Sequence, residues 1–276
     1  MKLTKKTYKI GGGVMVSVAL VSGVFISDIF ASRTKLAQQA GDNQNFHIAY
    51  LLRPNDADLL VRIGHYYLQE NQNLVRAERA YRRALDQNPS IPFAHHQLAR
   101  IYFIQADFTR ARREINAELA LDPNNFRALY VRALNEAYSG NKPGAENDFR
   151  RVTELAPLEW GSYNDLSWVL AEQGQFAEAA TVARSGIETA TGGAKNLWLW
   201  NALGVALFNA KIYAEAGEAF RNALRYAEDL DEQEWHRAYS ANTMRSAASG
   251  LTAFKHALQK NIEAVDDQLT KEAKER

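Results

Sequence analysis

A period of 34 residues constrains this chain more than any other feature. Ala77, Ala111, Ala145 and Ala179 follow one another at steps of 34, 34 and 34 residues, and Ala216 continues the column. Four residues after these alanines stand Tyr81, Ile115, Phe149, Ala183 and Phe220. Twelve or thirteen residues before them stand small residues: Gly64, Ala99, Ala133, Ser167 and Gly204. Pro54, Pro89, Pro123 and Pro157 keep the same clock and account for four of the six prolines. A unit of this length with one proline holds two helices of about 12–14 residues and short turns. Proline cannot continue the second helix, so it opens the next unit. Asp122-Pro123-Asn124-Asn125 and Asn88-Pro89-Ser90 supply turn chemistry at the joints. A single hairpin of this kind cannot bury its apolar face, so the units must stack, and stacking makes a solenoid. The small residues are expected where paired helices cross, with Gly204 and Ala216 at one such crossing.

The columns resemble the tetratricopeptide repeat. Trp200, Leu203-Gly204, Leu207, Ala216, Phe220 and Ala223 match its pattern, as do Ile63-Gly64, Tyr67, Ala77, Tyr81, Ala84 and Pro89. The resemblance covers about residues 42–228. It implies an all-α fold, a right-handed superhelical solenoid of antiparallel helix pairs. Five units are expected at 57–91, 92–125, 126–159, 160–196 and 197–228. A leading half repeat falls in 32–56, where Phe46, Ala49 and Pro54 fit a second helix.

Departures from the pattern are local. The fourth unit has Ala183, Gly186 and Thr191 where an aromatic, Ala and Pro are expected, and its exit turn is three residues longer. That junction is expected to be the loosest seam. The third unit carries Arg132 at the Leu place and Glu136 at the Tyr place. In such repeats an Arg there goes with an Asp beside the second-helix aromatic, and Asp148 precedes Phe149. Glu118 stands where the second unit should carry a small Ala.

The two ends differ from the middle. The first nine residues hold four lysines and no acid, and Ile10 to Ser27 then run 18 residues without a charge. As a helix this run spans about 27 Å, near the hydrocarbon thickness of a bilayer. Residues 1–31 therefore read as a signal-anchor and transmembrane helix, with the N-terminus cytoplasmic and the repeat body extracytoplasmic. The rival is a signal peptide cleaved near Ala31, which would release a secreted or periplasmic protein. Residues 229–276 read as C-terminal capping helices. Asp231 to Ser249 suggest one helix, Gly250 interrupts, and Leu251, Phe254, Leu258, Ile262, Val265 and Leu269 recur at helical spacing. A coiled-coil or docking helix is the alternative there.

Little in the chain suggests chemistry. The absence of Cys excludes disulfides, thiolate metal sites and Cys nucleophiles. None of the six histidines lies in an H-E-x-x-H pattern. Gly192-Gly193-Ala194-Lys195 lacks the spacing of a phosphate loop. No nucleophile pairs with a base, so the expectation is a non-enzyme without cofactor or metal. A net charge of +1, concentrated at the N-terminus, gives no footprint for nucleic acid.

What remains is a binding surface. The resemblance implies that the first helix of each unit lines a concave groove. Carried over by position, that face holds Arg62, His65 and Gln69, then His96, Gln97, Arg100 and Phe103. It continues through Tyr130 and Tyr138, then Asn164, Asp165 and Trp168, then Asn201, Phe208 and Asn209. Aromatic rings, Asn and Arg in a groove suit an extended peptide. The Arg62–His65 and His96–Arg100 pairs should face each other across about 10 Å as a basic patch, with imidazoles gaining charge below about pH 6.5. The Lys-Asn pair that clamps chaperone tails is absent, since Val61 and His65 stand at its first two places. The expected function is a membrane-anchored scaffold or adaptor that binds proteins or peptides, in a bacterial envelope complex. The alternatives are a non-catalytic accessory subunit of an envelope glycosyltransferase or peptidoglycan machinery, and an organelle import receptor.

Overall fold

The computed structural model describes residues 7–10, 14–17, 46–69, 73–232, 234–235 and 246–275. From residue 46 onward these are largely helical. A short α1 (Phe46–Leu52) leads into five antiparallel pairs. They are α2 (Ala57–Gln69) with α3 (Leu74–Gln87), α4 (Ala94–Ile104) with α5 (Phe108–Leu121), and α6 (Phe126–Tyr138) with α7 (Lys142–Leu155). Then come α8 (Trp160–Glu172) with α9 (Phe176–Thr189), and α10 (Leu197–Asn209) with α11 (Tyr213–Glu228). The last element, α12, runs from Ser246 to Glu275. The pairs stack side by side into an all-α solenoid.

Local chemistry starts the second helices of the first three units the same way. Asn73, Asp107 and Asn141 accept the backbone N–H three residues on at 3.0, 2.9 and 3.3 Å. Such a cap satisfies one of the orphan amides of a first turn and contributes about 1 kcal/mol. In the fourth unit Gln175 occupies this place and makes no side-chain cap. The preceding turn needs a left-handed residue. Ala106, Gly140, Gly174 and Lys211 have φ of 58°, 91°, 77° and 63°. A side chain is strained there and glycine is not. Replacing Ala106→Gly should therefore stabilise the second unit by about 1 kcal/mol, read as a higher urea midpoint.

Four of the five pairs are held by an exchange of bulk between their helices. A Cβ on Gly64 would stand 2.6 Å from the Tyr81 ring, and one on Gly204 would stand 2.6 Å from the Phe220 ring. The glycines thus make room for the second-helix aromatic, with Gly204 under the Phe220 ring. Ala99 with Ile115 and Ala133 with Phe149 are the same arrangement with slightly larger first partners, all fully buried. In the fourth unit the slot for the aromatic holds Ala183, and Ser167 fills the space by donating its hydroxyl to the Ala179 carbonyl at 2.9 Å. The third unit adds a charge pair. Arg132 donates twice to Asp148, at 2.6 and 2.7 Å, a bidentate fork that replaces an apolar Leu contact. Gly204→Leu would push directly on the Phe220 ring and should cost about 2–3 kcal/mol in the urea midpoint.

The seam between the fourth and fifth units is closed rather than loose. Gly186 brings Tyr163 and Leu199 within 2.7 and 2.9 Å of where its Cβ would stand. The longer turn, with a 3-10 segment at Gly193–Lys195, ties itself down on both sides. The Thr191 N–H donates to the Leu158 carbonyl at 3.0 Å, and the Trp200 indole donates to the Ala194 carbonyl at 2.9 Å. Small residues in α9 let α10 approach, so missing bulk was a signal of closeness, not of a gap.

The far end of the solenoid is covered by α12. Its Leu251, Leu258 and Val265 are buried, seven residues apart, and Val265 touches the groove left by Gly217 at 3.2 Å from where a Cβ would stand. Gly250, at φ 64° and ψ 165°, breaks the helix at its start. Aromatic rings bind this end together: Trp160 stacks on Trp198 at 4.9 Å, Trp198 meets Trp235 at 5.6 Å, and Trp235 meets Phe254 at 5.0 Å. Of the helix expected from Asp231 to Ser249, residues 233 and 236–245 lie outside the described residues.

At the N-terminus Thr7–Ile10 pairs antiparallel with Val14–Ser17, Ile10 opposite Val14. The helix expected from Ile10 to Ser27 differs here. β-branched and aromatic residues in Thr7–Ile10 and Val14–Ser17 favour extended backbone. Residues 18–45 lie outside the described residues, and no described helix is long and apolar enough to cross a membrane.

Candidate binding groove

The expected groove residues sit on the first helices α2, α4, α6, α8 and α10, and several of them contact one another from helix to helix. The N-terminal part is a polar chain. The Arg100 guanidinium donates to Gln97 Oε1 at 2.9 Å, which orients the amide so that its nitrogen faces His65 Nε2 at 3.3 Å. The amide N–H then donates to His65 Nε2, and that imidazole is neutral with its proton on Nδ1. The two helices are bridged directly here, at hydrogen-bond distance rather than across about 10 Å, because Gln97 reaches from α4 to α2.

The imidazoles do not form the acid-strengthened patch expected of them. His96 is buried and its Nδ1 has no partner. Burial first, then the charges of Arg100, Arg127 and His65, push it down to about 3. Burial and then Arg100 also hold His65 below the usual imidazole value. Arg127 was missed in the sequence. It lies three residues before Tyr130 on the same helical face, and that spacing was the available signal.

Glu118 explains how this wall is held. Helix α4 begins after Phe93, which is left-handed with φ 67° and caps nothing. Glu118, from α5, accepts the His96 backbone N–H at 3.2 Å and caps α4 from outside. Its other oxygen accepts Asn125 Nδ2 at 2.9 Å, and Asn125 is itself the N-cap of α6, accepting the Ala128 N–H at 3.2 Å. The buried carboxylate where the repeat pattern expects Ala therefore fixes α4 against α6.

Farther along, Tyr130 on α6 donates its hydroxyl to Asp165 on α8, and Asn164 donates to the other Asp165 oxygen at 2.9 Å. Burial pushes the Asp165 carboxyl up to about 6, against those two hydrogen bonds. Below this triad runs an aromatic strip. Phe103 meets Tyr138 edge-on at 5.5 Å, and Tyr138 meets Trp168 at 5.6 Å, so α4, α6 and α8 share one line of rings. Phe103 is buried and forms the base, whereas Tyr138 is 40% exposed and presents the surface. The flanks are looser. Arg62, Gln69 and Asn209 are exposed, Asn201 is half-buried, and Asn209 turns its amide back to the Val205 carbonyl at 2.8 Å. Phe208 packs on Tyr213 of its own unit at 5.5 Å.

These pairs, with their small-residue and aromatic columns and a lined inner face, define a solenoid of helical hairpin repeats. The Tetratricopeptide repeat family model matches residues 62–126 and 130–194. Cellulose synthase operon protein C of Pseudomonas fluorescens is 30% identical over 118 residues, which is 43% of this chain and 9% of that protein. The chain thus spans under a tenth of that relative's length. Among solved structures, PilW, a widely conserved type IV pilus biogenesis factor, superposes with a TM-score of 0.58 at 14% identity, covering 76% of this chain and 97% of PilW. YrrB, a TPR protein with an unusual peptide-binding site, superposes with a TM-score of 0.52 at 17% identity, covering 71% of this chain and 97% of YrrB. At these identities the likeness is one of fold.

Titration of the buried histidine sets a pH dependence. Unfolded, His96 titrates near about 6.5; folded, near the value of about 3 set by its surroundings. Its contribution to stability is complete above the unfolded value and is lost as pH falls toward the folded one, because the unfolded chain binds the proton first. His65 acts in the same direction. Asp165, with its folded value raised, acts in the opposite direction between its unfolded value of 3.8 and about 6. Comparing wild type with His96→Leu isolates the histidine. Between pH 7 and pH 4, two points bracketing about 6.5 to about 4, the wild-type urea midpoint should fall more steeply than the variant's. Parallel profiles would show that His96 is not a buried neutral imidazole.

Proposed function

We infer that this chain is a membrane-attached scaffold whose groove holds an extended segment of another protein within a bacterial envelope complex. The observation that carries the reading is the continuous inner face. Rings from three successive first helices form one strip, Phe103, Tyr138 and Trp168, beside a hydrogen-bonded polar wall. An extended peptide presents alternating apolar and polar groups along its length, and such a face can meet both at once. The fold it shares with YrrB and PilW supports a role in protein recognition. Membrane attachment rests on the sequence: four lysines followed by 18 uncharged residues, Ile10 to Ser27. A bilayer demands that backbone groups be satisfied internally, so this run would be helical once inserted. A second reading, an accessory subunit of a polysaccharide-making envelope enzyme, is favoured by the match to Cellulose synthase operon protein C. In that case the groove is the same and the partner is the enzyme.

Capture of partners from detergent-solubilised membranes tests the groove. Tyr138→Ala with Trp168→Ala should reduce capture by about tenfold or more, since aromatic anchors dominate such interfaces. Arg79→Ala, on the second-helix layer and exposed, should leave capture unchanged. Full capture by the aromatic variant would move the interface off the groove. Carbonate washing should leave the protein in the membrane pellet, and a reporter fused after Arg276 should be active outside the cytoplasm. A soluble product beginning near Ser32 would replace anchoring by cleavage.

A further inference from the structure

The wall between the first three units contains a cation without a counter-ion. Arg100 is partly buried, and burial depresses it below the usual guanidinium value; the groups that act on it electrostatically in the other direction are the neutral Tyr81 and Tyr130. Of its five N–H groups, one goes to Gln97 Oε1. Among the described residues no carboxylate lies at ion-pair distance from it, although many other arginines of the chain have one. The acids of the neighbouring helices are engaged elsewhere: Glu118 with the His96 backbone and Asn125, Asp165 with Tyr130 and Asn164.

The groups that do face Arg100 all share its sign or are neutral. His65 and His96 are both held down by its charge, and Arg127 adds to the effect on His96. The Nδ1 of His96, buried and without a partner, is a second polar group left unsatisfied in the same cluster. A buried charge normally has a partner, because the desolvation it suffers must be offset. Here the fold supplies none, and it keeps the cation in place through Gln97 and His65.

We propose that Arg100 is the anion-binding centre of the groove and receives a carboxylate from an extended acidic peptide. The proposal rests on the reading of the groove as a peptide-binding surface and names the chemistry of its ligand. The carboxylate is an Asp or Glu side chain or a chain terminus. It would accept from the remaining guanidinium N–H groups in the fork geometry that arginine offers. A monoanion matches the cluster better than a phosphate dianion, since burial and the Arg100 charge disfavour protonation of both imidazoles and Arg100 is the partly buried cation at its centre. The apolar residues of the same peptide would lie on Tyr138 and Trp168, one and two units farther along.

A cation kept for a ligand should be a burden to the free protein, and this separates the proposal from a structural role. The probes are two acetylated, amidated, fluorescent nonapeptides of alternating Leu and Ala, one with a central Glu and one with a central Gln, measured by anisotropy against the full chain in detergent. The Glu peptide should bind about tenfold or more tighter than the Gln peptide, as a charge-assisted bond predicts. In Arg100→Met the two should bind alike, while the urea midpoint of the free protein stays level or rises. Arg100→Gln, which keeps a polar group beside Gln97, should also lose the preference and serves if the Met variant does not fold. Equal binding of both peptides by wild type would overturn the anion site. If that equal binding is lost in Tyr138→Ala with Trp168→Ala, the groove reading survives without it. No binding of either peptide up to about 1 mM sinks both. A preference that persists in Arg100→Gln, or a central phosphoserine that binds more than about tenfold tighter than Glu, overturns the assignment of a carboxylate to Arg100.

Discussion

The whole structure depends on one exchange of volume, repeated in four of the five units. A small residue on the first helix gives up the space that a larger one on the second helix takes. Gly64 and Tyr81 state it most plainly, with 2.6 Å between the ring and an imagined Cβ. The ring is buried, and burying a side chain of this size contributes about 1.5–3 kcal/mol. Because no hairpin covers both faces of its own helices, the remaining apolar surface goes to the next unit. The result is a core that runs the length of the stack from Leu60 to Val265 and is finished by α12.

Units that change the partners replace what they give up with another contact. The fourth unit gives up the aromatic for Ala183 and satisfies the Ser167 hydroxyl on a backbone carbonyl. It also lets Tyr163 and Leu199 close over Gly186. The third unit trades an apolar contact for the Arg132–Asp148 fork. The second unit trades a small Ala for Glu118, which takes over the capping of α4 that Phe93 cannot perform. Each substitution costs something locally and is offset by a partner that the stacking brings within reach.

The groove is a by-product of the same packing. Setting the first helices side by side places Phe103, Tyr138 and Trp168 in one line and brings Gln97 to His65. It also leaves Arg100 half enclosed among imidazoles and phenols, where most folds would place an acid. Stability and recognition make opposite demands at that one residue. Elsewhere along the wall, as at Tyr130 and Asp165, the polar groups answer one another within the chain.

The period of 34 residues was enough, by itself, to settle the helical hairpins and their stacking. Periodicity reports which residues lie on one side of a helix, and that is a local property. The pairing of Arg132 with Asp148 could also be read in advance, because both sit in columns whose contact is set within one unit. What lay beyond the sequence were interactions between units. His96 reads as an exposed groove residue on a helical wheel, yet α2 and α6 on either side bury it and burial removes its charge. The seam after the fourth unit reads as a defect and is closed, since a missing side chain in one helix becomes the space another helix enters. Arg127 belongs to the site through its effect on a histidine one unit away. The sequence determined the repeat and the direction each side chain leaves its helix; only the tertiary structure decided exposure and charge, because those depend on how closely neighbouring helices approach.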